Sequence, residues 1–122
     1  MNRRFFHRVD VQANGELLWA TRSRLGRVST HRNFITTLNV SMDGAKIVMK
    51  GRHTFPTSAR ARLKLGIEFC EVEILEVQHR SGPDSTQLRL SFISPSARFV
   101  SVVEKWMPID AHGRDEFVAA WT

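Results

Sequence analysis

Apolar and polar positions alternate through the first three quarters of the chain, and period-two alternation marks half-buried strands. Val9, Val11 and Ala13 alternate with Asp10 and Gln12. Asn14-Gly15 then separates this stretch from residues 16–20, so the pair reads as a hairpin or bulge signal. Residues 21–33 are polar and basic and read as a loop. Residues 34–40 are rich in β-branched side chains and predict a strand. A turn over 41–44 ends in Asp-Gly, and a strand resumes at 45–49. Gly51 and Pro56 break residues 50–60, and residues 61–65 alternate again. Residues 68–77 carry two apolar registers with a slip near Cys70 or Leu75, as a β-bulge produces. A turn cluster at 81–85 precedes a last alternating run at 87–93. Six or seven short strands with intervening turns give an all-β pattern, a barrel or a sandwich.

The period then changes. Ser94-Pro95-Ser96 offers a cap and a first-turn proline. Phe99, Val102, Val103 and Trp106 follow at helical spacing and predict an amphipathic helix over 96–107, stopped by Pro108. Residues 115–121 read as a short terminal helix with acids at its start. Trp19 and Trp106 occupy core-like positions, whereas Trp121 beside Phe117 is the better candidate for a partner contact.

Composition narrows the class. The 122 residues are 42% apolar and 25% charged, enough for one domain with a real core. No apolar run is long enough to span a membrane, and the first residues lack a signal-peptide core. A single cysteine, Cys70, excludes an internal disulfide, fits a cytoplasmic setting and reads as a small buried hydrophobe. The histidines lie more than 20 residues apart, without metal-ligand pairing. No nucleophile elbow, phosphate loop or zinc signature is present, so neither an enzyme nor a metal or cofactor is expected. Glu68, Glu71, Glu73 and Glu76 read as the wet side of a strand.

Charge adds a partner. The net charge is +6, but residues 1–64 carry a net of +10 and residues 65–122 a net of −4. Fourteen of the 18 cations are arginine, which grips phosphate and base edges in a planar fork. Two short patterns lie in the basic half. Arg4 and Arg8 form RxxxR behind a further arginine, Arg3, and Asn39, Ser41 and Gly44 form NxSxxG at a strand end. Arginine can fork onto phosphate, stack on a purine or bond the O6/N7 edge of guanine. Asn39 offers a donor and an acceptor in one plane, and Ser41 a rotatable hydroxyl. Strand alternation puts positions 39 and 41 on one face. Gly44 permits a positive-φ turn and close approach of a ligand.

The two patterns, in this order and about 30 residues apart, resemble the PilZ domain, the bacterial receptor module for cyclic di-GMP. The resemblance runs from about Arg3 to Met107. It implies a six-stranded antiparallel β-barrel with a C-terminal α-helix. One domain over 1–122 is then expected: a flexible ligand-binding arm at 1–8, the barrel at 9–93 and a helical segment at 94–122. It also implies that Arg4 and Arg8 hold phosphates and guanines, that Asn39 and Ser41 read guanine edges, and that Gly44 keeps the turn open. Arg3, placed before RxxxR, would favour an intercalated pair of nucleotides.

The expected function is a cyclic di-GMP receptor or adaptor that changes conformation on binding and signals to a separate effector protein. The alternative is a protein-interaction module of the same fold acting without nucleotide. A nucleic-acid binder using Arg22, Arg24, Arg27 and Arg32 ranks well behind both. For these four arginines the residues leave open a solvated loop, an auxiliary phosphate contact or a partner contact.

Overall fold

The computed structural model describes residues 12–56 and 58–106. Six strands and one helix follow in order: β1 (Asn14–Arg22), β2 (Val28–Val40), β3 (Gly44–Lys50), β4 (Arg60–Leu65), β5 (Glu68–Arg80), β6 (Ser85–Ile93) and α1 (Ala97–Trp106). All strand pairs are antiparallel, and the sheet closes on itself in the order β1-β2-β3-β6-β5-β4. Closure removes the exposed sheet edges over the length of the barrel.

Alternation selects the core. Leu17, Ile47, Leu63, Leu65, Val72, Ile74, Leu88 and Leu90 point inward and are almost fully buried. Their neighbours Lys46, Arg62, Lys64, Glu71 and Arg89 point outward. The slip in residues 68–77 is a register shift between Ile74 and Glu76, where Leu75 is left 43% exposed. Of the two positions the sequence allowed, it is Leu75 that bulges. Cys70 is buried, and burial pushes its thiol pKa up; a hydrogen bond with the Ile93 backbone opposes this and the Glu71 charge adds to it.

The helix forms as the periodicity predicts. Ser96 caps it: Oγ accepts from the Phe99 N–H at 3.2 Å and the carbonyl from the Val100 N–H at 2.9 Å. Phe99 and Val103 are buried, and the Phe99 ring meets Phe92 edge-on with centroids 5.1 Å apart. The helix follows β6, whose last residues pair with the start of β3, so it begins at the barrel end where β2 finishes, and it packs against β5.

Two expectations are corrected. Asn14-Gly15 is not a turn: both residues lie in β1, opposite Thr36 and Ile35. A Cβ on Gly15 would sit 2.5 Å from the Lys64 carbonyl oxygen, so this glycine serves close strand approach. Residues 21–33 are not a loop. The β1–β2 ladder runs on to Arg22↔Val28 and turns over Ser23–Arg27, whose ends are joined by Ser23 N–H to the Arg27 carbonyl at 2.8 Å. Residues 20–32 are all exposed, so neither face of this hairpin carries the alternation that betrays a strand. Of the strand expected over 9–13, residues 9–11 lie outside the described residues, as do the helix expected at 115–121 and Trp121.

Candidate functional site

NxSxxG sits where β2 turns into β3. The pairing Thr36↔Val48 and Thr37↔Ile47 shifts by one before Asn39↔Lys46 and Val40↔Ala45, leaving Leu38 as the extra residue. Before the shift Ile35 and Thr37 face the core; after it Val40 does. The bulge therefore turns Asn39, which strict alternation would drive into the barrel, onto the outer face. There it begins a row across four strands. Asn39 is opposite Lys46, Lys46 opposite Arg89 and Arg89 opposite Glu76. Arg89 Nε lies 3.5 Å from the Glu76 carboxylate.

Asn39 Oδ1 is buried and has no hydrogen-bond partner among the described residues. A buried acceptor in that condition costs about 1–3 kcal/mol, and folded proteins keep few of them. An incoming donor would remove the cost.

Ser41 and Gly44 have local roles. β2 ends at Val40, so Ser41 belongs to the turn and not to a strand face. Its N–H donates to the Gly44 carbonyl at 2.8 Å, and its hydroxyl donates to the Asp43 carboxylate and reaches the Gly44 carbonyl at 3.3 Å. Ser41 is only 1% exposed. Gly44 is not among the glycines with positive φ, which are Gly26, Gly51, Gly66 and Gly82. The positive-φ reason for Gly44 is thus corrected: a Cβ there would lie 2.2 Å from the Leu90 carbonyl oxygen, so glycine lets β3 and β6 pair.

Arg3, Arg4 and Arg8 lie outside the described residues. The chain that carries them joins the barrel at a defined place. The Ala13 N–H donates to Thr37 Oγ1 and the Thr37 N–H to the Ala13 carbonyl, both at 2.8 Å. Ala13 thus lies beside Thr37, two residues before Asn39 on the same strand.

Sequence reasoning missed Lys46 and Arg89 as site neighbours. Each is simply the polar member of an alternating strand, and only the pairing register brings them beside Asn39. The histidines, far apart in sequence, partly converge at the other barrel end. His31 stacks on Trp19 at 5.3 Å, His53 meets Trp19 edge-on at 5.7 Å, and His79 Nε2 lies 2.6 Å from the His53 carbonyl. Among the described residues no three His, Cys, Asp or Glu side chains are grouped to hold a metal. No described helix is long and apolar enough to cross a membrane.

Neither a protein-family model nor any curated protein sequence matches the chain. Solved structures do. The PilZ domain of YcgR from Escherichia coli, described with c-di-GMP, aligns over 94% of this chain and 97% of its own length, at 10% identity and a TM-score of 0.57. MrkH of K. pneumonia in complex with c-di-GMP aligns over 86% of this chain and 51% of its own, at 14% identity and a TM-score of 0.56. Longer YcgR in complex with c-di-GMP aligns over 97% of this chain and 49% of its own, at 13% identity and a TM-score of 0.53. The chain therefore spans about half of these two proteins and nearly all of the isolated YcgR domain. At such identities the likeness concerns the fold, and the closed six-stranded barrel with its C-terminal helix is that of a PilZ domain.

Proposed function

We propose that this chain is a cyclic di-GMP receptor without catalytic activity, in which a guanine nucleotide is held between the N-terminal arginines and the β2–β3 turn. The observation that carries the reading is the buried Asn39 Oδ1, without a hydrogen-bond partner among the described residues and close to Ala13, through which the N-terminal segment joins β1. A guanine N–H is the kind of donor that would satisfy it. Reach permits the arm to take part. Arg8 is five residues from Ala13 and Arg4 nine, spans of at most about 17 Å and 30 Å when extended. Lys46 and Arg89 on the outer face add cations beside Asn39 for the two phosphates. Ser41 and Gly44 shape the turn that presents Asn39. Three structural neighbours are described with the same dinucleotide, which supports the reading.

Binding would order the arm over the barrel and create a new surface for a separate effector, a switch made by an anionic ligand on a basic segment. As a reader of a bacterial second messenger the chain would work in the cytoplasm. Calorimetry with cyclic di-GMP tests the site. The wild type is expected to bind in the micromolar range or tighter, and Asn39→Ala to bind roughly tenfold to a hundredfold more weakly, the loss of one buried hydrogen bond. Equal affinities for the two proteins would remove Asn39 from the site. The same titration reads stoichiometry: if Arg3 supports an intercalated pair, the wild type takes two nucleotides per protomer and Arg3→Leu takes one.

A further inference from the structure

The ladder between β1 and β4 stops before either strand does. Pairing runs from Gly15↔Leu65 to Leu18↔Arg62, yet β1 continues to Arg22 and β4 begins at Arg60. Residues 19–22 keep their β2 partners, His31 to Val28. On their other edge they pair with no strand among the described residues. A cavity of about 580 Å³ opens at this splay, and Leu18, Trp19, Ala20, Arg32, Arg60 and Arg62 contribute to its walls.

Strand geometry fixes what could fill it. Ala20 and Arg22 share the outer face of the sheet with Leu18, and Arg62 and Arg32 lie on that face as the cross-strand partners of Leu18. Arg60 lies there too, two residues before Arg62. Trp19 points the other way, with buried Leu17 and Ala61. Arg32 is 3.1 Å from Glu16 and Arg60 is 3.6 Å from Glu71, but both cations are about two-thirds exposed. Such surface pairs are weak and yield to a competing carboxylate.

We propose that this cleft takes an extended acidic segment of a partner protein, added as a strand to the free edge of β1. The main chain of residues 19–22 would supply the hydrogen bonds, as in other strand additions. Carboxylates at alternate positions would face Arg60, Arg62 and Arg32. The apolar side chains between them would turn inward toward Trp19 and Ala61. The preferred segment therefore alternates acidic and apolar residues. Double-stranded nucleic acid satisfies the arginines but brings no single strand to the edge and no apolar group to Trp19. The cleft lies roughly 20 Å along β2 from Asn39, so the proposal does not depend on the nucleotide reading.

The test uses the full chain and a short synthetic peptide alternating glutamate and valine, followed by amide hydrogen exchange. The amides of residues 19–22 are expected to gain protection with this peptide and not with one alternating lysine and valine. Arg60→Ala/Arg62→Ala is expected to weaken binding about tenfold, and its unchanged melting temperature would show that the barrel is intact. Absence of protection at residues 19–22, or equal protection by the lysine peptide, overturns the proposal. Protection by a DNA duplex with none by the glutamate peptide also overturns it, in favour of a nucleic-acid surface.

Discussion

Asn39, Ser41 and Gly44 belong to one short pattern but do three different things. Asn39 presents an acceptor without a partner among the described residues, Ser41 bonds within the turn, and Gly44 lets two backbones meet. Gly44 is the cleanest to test by stability. In Gly44→Ala the new methyl would sit 2.2 Å from the backbone oxygen of Leu90, which cannot swing aside as a side chain would. Urea denaturation should show a loss of about 1–3 kcal/mol, the usual penalty for overpacking. An unchanged midpoint would show that β3 and β6 separate without cost. Cys70 gives a second residue-level test. Its thiol pKa is raised by burial, so the native protein holds the protonated form at neutral pH. Iodoacetamide should alkylate native protein far more slowly than urea-unfolded protein; equal rates would contradict the buried position. The sign also sets a pH trend. The contribution is fully present below the unfolded thiol's pKa, about 8.5, and stability falls as pH rises above that value.

At the scale of elements, legibility followed burial. The strands 45–49, 61–65 and 87–93 and the helix Ala97–Trp106 were readable because one face of each lies in the core and imposes its period. The β1–β2 hairpin was not. Its residues 20–32 are exposed on both faces, so main-chain pairing shapes a segment whose side chains look like a loop. The bulge at Leu38 was equally hidden. Thr-Thr-Leu-Asn-Val contains no glycine to mark it, and only the partner strand reveals the shift. The bulge is nevertheless what turns Asn39 outward. The helix carries its own prediction. Phe99 is fully buried against Phe92, so Phe99→Ala should cost about 3–5 kcal/mol in a thermal or urea melt. A cost below about 1 kcal/mol would mean that the helix is peripheral to the fold.

Across the whole molecule, the basic excess of residues 1–64 separates into two places. One is the β2–β3 turn, where Lys46 lies opposite Asn39 and where the proposed function brings Arg3, Arg4 and Arg8; Arg89, from the acidic half, adds a cation across the sheet. The other is the projecting hairpin with its cleft at Arg32, Arg60 and Arg62, at the opposite end of the barrel. The proposed receptor function would use both kinds of surface, one for a ligand and one for the protein it informs. In sequence the two places merge into a single charge asymmetry. The barrel pulls them apart by running β2 the full length between them.

The central claim is that a guanine dinucleotide is gripped between the arm and Asn39. Calorimetric titration of cyclic di-GMP into the wild type and into Arg4→Ala/Arg8→Ala tests it most directly. The account predicts binding in the micromolar range or tighter for the wild type, and a loss of at least about a hundredfold when both phosphate-forking arginines are removed. No measurable binding by the wild type, or equal affinity in the double variant, would contradict it.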